Sequence, residues 1–252
     1  MTASIMKNKL KNAVISTLIV ILWIGVWHLA ALLLNNSLFL PSPQDTATAL
    51  WELLGTPKFY KVVSLTLLRV LSGLLLGVLF GILFAAVCHK FSAIKRVFSP
   101  IISVIRSTPV ATFIVLLWIM MDGSTLAIVV AFLMVMPIVW QNTLDGFASI
   151  PKELVEVAQV YELPLRRKYM VLILPVLSRY IFPAVITSVG LAWKSEIAAE
   201  IIAYTKDSIG MHINDAKSFL LTPTVFAWTI IVIVMSLLLE WTMKKILGRF
   251  RQ

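Results

Sequence analysis

Apolar residues fill six long stretches of this chain, near 13–34, 62–88, 101–121, 124–144, 172–203 and 223–243. Each is continuous rather than alternating, and each reaches the roughly 20 helical residues that cross a hydrocarbon core of about 30 Å. In lipid an open strand leaves its peptide groups unpaired, whereas a helix pairs them within itself. The pattern predicts an all-α integral membrane fold of about six transmembrane helices in a single domain over 1–252. Breaks in the apolar pattern supply the detail. Pro41 and Pro43 interrupt the segment after the first span, and Gln44–Leu54 reads as a short helix with Ala47, Leu50, Trp51 and Leu54 on one face. Pro109 and Pro137 fall inside spans three and four, where a missing N–H bends or opens a helix.

The polar connection of roughly 145–171, between spans four and five, predicts one short helix near 151–163. Pro151 suits its start, Leu154, Val157, Ala158 and Tyr161 share one side, and Lys152, Glu153, Glu156 and Gln159 the other. Pro164 ends it, because proline disfavours helical geometry at Leu163. Arg166, Arg167 and Lys168 then face lipid phosphates as the chain re-enters the membrane. In span two, Gly73, Gly77 and Gly81 form a small-residue stripe that allows close helix packing, within the chain in preference to a dimer seam.

Composition agrees with burial in lipid: 60% of residues are hydrophobic and 13% charged, too apolar for a soluble core. The first span exceeds a signal-peptide apolar region of roughly 7–15 residues, so it is read as retained. Basic residues set the orientation. With the N-terminus in the cytoplasm, the inner segments hold Lys7, Lys9, Lys11, Lys90, Lys95, Arg96, Lys152, Arg166, Arg167, Lys168, Lys244, Lys245, Arg249 and Arg251, and the outer ones only Lys58, Lys61, Lys206 and Lys217. Both termini are then cytoplasmic. The net charge of +10 faces anionic headgroups rather than nucleic acid. The lone Cys88 is a packing residue, and His28, His89 and His212 are too scattered to hold a metal. No Gly-rich Lys-Ser/Thr phosphate loop occurs, so any ATP is bound by another chain.

Glu156-x-Ala158, followed sixteen residues on by Leu174-Pro175, resembles the signature loop of ABC-importer permeases. Further points extend the likeness over most of the chain: Phe39-Leu40-Pro41-Ser42-Pro43, Arg69-Val70-Leu71-x-Gly73, Ser99-Pro100, Arg106-x-x-Pro109, Gly190-Leu191-Ala192-Trp193, Ala199-Glu200 and Ile209-Gly210. The chain is thus similar to the inner-membrane permeases of binding-protein-dependent importers, nearest the nitrate/taurine/alkanesulfonate group. The resemblance implies a non-enzymatic subunit that forms the solute pathway with a second permease, read as a homodimer. It also implies two cytoplasmic ATPase subunits, which bind the ATP and magnesium, and an extracytoplasmic solute-binding protein. The 151–163 helix becomes a coupling helix, with Glu153, Glu156, Val157, Ala158, Tyr161, Glu162, Leu163, Leu174 and Pro175 as the ATPase-coupling residues. The solute is expected to be a small anion or small polar organic compound, such as a sulfonate, nitrate or a vitamin precursor. One position departs from the family pattern: Glu162 stands where a glycine usually ends the helix. Either Pro164 has taken over the stop or the helix runs on further.

Charges inside spans are costly and mark function. Span five carries Lys194, Glu196 and Glu200 beside Trp193, and Arg69 enters span two near the same depth. An Arg69–Glu200 or Arg69–Glu196 pair is expected, either at the outer gate or along the translocation pathway or as a fastening of the helix packing, and Lys194 either offers charge to an anionic solute or snorkels outward. Arg106 is placed at the inner end of span three, against headgroups or the inner loop rather than solute. The competing reading is an ion-coupled secondary transporter or channel using the span-five carboxylates, against which stands the lack of an internal repeat.

Overall fold

A computed structural model describes residues 2–249, with side chains from Val14 onward. Lys7, Lys9, Lys11 and Arg251, on which part of the orientation rests, lie outside the described side chains. The regular structure of the described chain is all helical, without a strand. Its elements are α1 (Thr2–Leu34), α2 (Pro43–Leu54), α3 (Pro57–Lys90), α4 (Ser92–Ser107), α5 (Val110–Trp118), α6 (Gly123–Ala148), α7 (Lys152–Val160), α8 (Leu165–Lys168), a π-helical turn (Tyr169–Ile173), α9 (Leu174–Ile202), α10 (Ile209–Ser218) and α11 (Thr222–Arg249). Among the described residues five helical segments are long and apolar enough to cross a membrane: Val14–Leu34, Pro57–Lys90, Gly123–Ala148, Leu165–Ile202 and Thr222–Arg249.

The sixth expected span, 101–121, is not one straight helix. α4 and α5 meet at 100°. Pro109 has no N–H to extend the α4 ladder and forces Thr108 into an extended conformation, so α4 ends with Thr108 N–H on Val104 O at 3.0 Å and α5 starts afresh. The 204–222 connection, left unassigned by the hydrophobic pattern, contains α10; the Ser208 hydroxyl caps it by accepting from Met211 N–H at 2.9 Å.

The chain divides into two compact units. The smaller joins residues up to Tyr60 with His212–Ile231. Within it Trp27 stacks on Phe226 and donates its indole N–H to Pro41 O at 3.0 Å, and Thr222 donates its hydroxyl to Leu38 O at 2.9 Å. Ser42 and Asp45 form a reciprocal capping box at the start of α2. Trp51 is exposed.

The larger unit, Lys61–Met211 with the chain from Val232, holds the functional candidates. Its centre is the packing of α3 and α9 on α6. A Cβ on Gly73, Gly77 or Gly81 would fall within 2.6–2.9 Å of the Cβ of Ala131, Val135 or Val139. Two four-residue ladders therefore interlock, and the glycine stripe serves contacts inside the chain. Two buried clusters mark opposite ends of α6. Ile114, Leu126, Ala127, Val130, Ala199 and Ala203 join α5, α6 and α9 at the Asp122 end, and Ala85, Cys88, Ile102, Trp140 and Leu144 join α3, α4 and α6 at the other. Cys88 is a packing residue within this second cluster.

Candidate functional site

At the Asp122 end the charged residues of the spans converge. Arg69 donates from Nη1 to Glu200 Oε1 at 3.0 Å, and from Nη2 to Ser124 Oγ at 3.2 Å and Lys206 O at 3.1 Å. Thr66, one turn earlier on α3, donates its hydroxyl to Glu200 at 2.9 Å and accepts from Ile209 N–H at 3.2 Å. Gly210 N–H donates to Glu200 Oε2 at 3.1 Å. Glu200 is fully buried and the Arg69 side chain is 11% exposed, so this is a desolvated ion pair whose remaining lone pairs are satisfied. It ties together α3, α6, α9 and the start of α10.

Local backbone geometry makes the convergence possible. Tyr204 has φ of 51°, and Thr205 N–H reaches back to Glu200 O at 3.1 Å, closing α9 with a left-handed stop. The chain then returns over its own last turn, so close that a Cβ on Gly210 would collide with the Glu200 backbone. Glycine at 210 is thus required by approach distance. Thr66 escaped the sequence reading, although a threonine three residues before an intramembrane arginine shares its helix face and was the available signal.

Of the two candidate carboxylates, Glu200 is the partner of Arg69. Glu196 lies one turn away and is fully buried, with neither oxygen hydrogen-bonded among the described residues. Trp193 is also buried and donates its indole N–H to Val232 O at 3.0 Å, fastening α9 to α11. Lys194 alone of the span-five group is exposed.

Helix α7 lies beyond the far end of α6. Leu163 N–H bonds to Ala158 O at 3.0 Å and Glu162 N–H to Gln159 O at 3.0 Å, with Glu162 at φ of 47°. This is a Schellman stop with glutamate in the left-handed position. Neither expected alternative occurs: Pro164 does not replace the stop and the helix does not run on. Glu162 adopts the conformation glycine prefers, at a cost of roughly 1–2 kcal/mol. Of the expected apolar side only Ala158 turns inward; Leu154, Val157 and Tyr161 are exposed, with Glu153 and Glu156 beside them. Cavities flank the helix. One of about 560 Å³ is lined by Leu154, Val157, Ala158, Leu163 and Pro175, and one of about 510 Å³ by Glu156, Gln159, His89 and Lys168. Leu174 is exposed. Pro175, lacking an N–H, coincides with the widened π turn in which Leu174 N–H reaches Tyr169 O, so span five begins helically at Leu165 rather than near 172.

Arg106 differs most from expectation. It stands at the last turn of α4, beside the break, and with Ile105, Thr108 and Val110 lines a cavity of about 310 Å³ completed by Leu133, Met134, Pro137 and Ile138 of α6 and Leu191 of α9. Those α6 residues lie near the middle of the helix, so the cavity that Arg106 lines is level with the middle of α6. The break at Pro109 brings Arg106 to it.

A family model described as binding-protein-dependent transport system inner membrane component matches residues 77–252. Over 232 residues the chain is 27% identical to the taurine transport system permease protein TauC of Escherichia coli (strain K12), covering 90% of this chain and 84% of TauC. Identity is 31% over 205 residues with the putative aliphatic sulfonates transport permease protein SsuC of the same organism, covering 80% and 77%. The crystal structure of an amino acid ABC transporter with histidines superposes with a TM-score of 0.60 at 21% identity, covering 77% of this chain and 92% of that one, which establishes a shared fold.

Proposed function

Because this chain belongs to the inner-membrane component family of binding-protein-dependent transport systems, we propose that α7 is the surface through which a separate ATPase drives it. The chain is a multi-pass membrane permease subunit of an ABC importer, a class that works with an ATPase and a solute-binding protein. One observation carries the docking assignment: α7 leaves Leu154, Val157 and Tyr161 uncovered beside Glu153 and Glu156. Uncovered apolar residues next to acids fit a partner groove with an apolar floor and a basic rim. Ala158 seats the helix on its own chain, while Glu162, Leu163, Leu174 and Pro175 fix the angle at which the helix and the span meet.

In this reading both termini are cytoplasmic in the inner membrane, and α7 is on that side. Two copies of the chain form the pathway. Two ATPase subunits bind ATP and magnesium, and a binding protein delivers solute at the Arg69–Glu200 end. Arg69, Glu200 and Trp193 hold that end of the spans together as the outer gate, Glu196 is buried within it, and Lys194 faces the pathway. The solute is a small anion of the sulfonate class, by similarity to the taurine and aliphatic sulfonate permeases. A pull-down of the tagged chain from its host in mild detergent tests the docking. Wild type is expected to retain an ATPase subunit and Glu156→Lys to lose it. Retention by both variants would remove Glu156 from the docking contact, and a chain that purifies alone yet moves solute on an ion gradient would refute α7 coupling altogether.

A further inference from the structure

The cavity at the α4–α5 break has no assigned role, and its chemistry is asymmetric. The residues that line it on α6 lie roughly 15–22 Å along that helix from Gly123 and at least about 15 Å from its other end, so the cavity is near the bilayer midplane. Arg106 has no hydrogen bond or ion pair among the described residues, and no acidic side chain lines the cavity. The Thr108 hydroxyl is committed to Val104 O at 2.7 Å, which leaves the guanidinium as the free side-chain donor. The remaining wall is apolar, with Leu133, Met134 and Leu191 prominent.

An unpaired guanidinium level with the middle of a span cannot face hydrocarbon without a heavy desolvation cost. The surroundings agree: Arg106 itself is exposed, and on α9 Arg179, Pro183, Thr187 and Lys194 are exposed along one side with half-buried Leu191 between the last two. A stripe with two cations borders water rather than lipid. The cavity therefore opens on the aqueous pathway, a step that rests on the permease reading above.

We propose that this cavity is a solute subsite within the permease itself, in which Arg106 grips the oxyanion head of a small organic anion while Leu133, Met134 and Leu191 receive its apolar body. A guanidinium matches a sulfonate or carboxylate head with two parallel N–H bonds. Nitrate or bicarbonate has the head but nothing to set against the apolar wall. The subsite thus selects alkyl-bearing anions and excludes purely inorganic ones.

The test uses the permease–ATPase complex purified from its host in nanodiscs, without the binding protein, and follows thermal stability against 1-butanesulfonate, nitrate and 1-butanol. Butanesulfonate is expected to stabilise the wild type, with nitrate and butanol well behind. Arg106→Gln should need about tenfold more butanesulfonate or worse, the loss of one charge-assisted contact, and Arg106→Lys an intermediate amount. Leu191→Trp, which fills the apolar side and keeps the cation, should shift preference to methanesulfonate. Equal stabilisation by nitrate, no stabilisation of the wild type, or butanesulfonate binding indifferent to Arg106→Gln overturns the subsite. If the wild type retains its ATPase and hydrolyses ATP while any of these holds, the subsite alone falls. If no ATPase is retained, the permease reading beneath it falls too.

Discussion

Replacing Glu200 by glutamine isolates what the buried ion pair contributes. The side chain keeps its shape but loses its charge, and its amide nitrogen must face one of three donors: Thr66 Oγ1, Arg69 Nη1 or Gly210 N–H. Arg69, 11% exposed, is left without its counter-charge. Breaking one side of a buried, hydrogen-bonded pair costs about 3–5 kcal/mol, which lowers the Tm of a domain of this size by about 10 °C. The assay is thermal unfolding in mild detergent, followed by size-exclusion fluorescence. Arg69→Met should lose at least as much as Glu200→Gln, because it strands the fully buried carboxylate without a counter-charge, whereas Arg69 beside glutamine keeps Ser124 Oγ and Lys206 O as acceptors. Glu196→Met should leave the Tm unchanged or raised, since it removes a buried group with no partner. The charge swap Arg69→Glu with Glu200→Arg should not rescue, because an arginine at 200 would aim donors at the Gly210 N–H. A Glu200→Gln protein melting within about 2 °C of wild type, or a swap that restores stability, would refute this account.

Two further perturbations test other contacts by the same unfolding assay. Gly77→Ala places a Cβ against Val135 and should cost about 1–3 kcal/mol, whereas Gly25→Ala, which meets nothing within 4 Å, should stay within about 0.5 kcal/mol of wild type; equal effects would contradict the interlocked ladders. Glu162→Gly relieves the left-handed strain at the end of α7 and should slow hydrogen exchange at the Leu163 amide several-fold; faster exchange there would show that the stop does not depend on that conformation.

Much of this architecture follows from local pattern. Long apolar runs require helices, because a helix alone satisfies its peptide groups in lipid without neighbours. The four-residue spacing of Gly73, Gly77 and Gly81 announces a close helix contact, and an arginine at 69 announces a buried acid. The short amphipathic helix at 152–160 shows in its charges and bounding prolines. Other features depend on what the chain meets. Glu196 and Glu200 lie on one face of one helix, so periodicity cannot choose between them; the return of residues 203–210 chooses, by bringing Gly210 N–H and the Ile209–Thr66 bond to one of the two turns. Pro109 predicts a bend but not 100°, which is set by where α4 and α5 find their separate clusters on α6. That turn brings Arg106 to a cavity level with the middle of α6. The side of α7 that faces outward is likewise settled by which residue fits closest to the chain, and only Ala158 is small enough. A helical repeat defines faces and turns along one axis, whereas partners are selected in three dimensions by the segments that return to those faces.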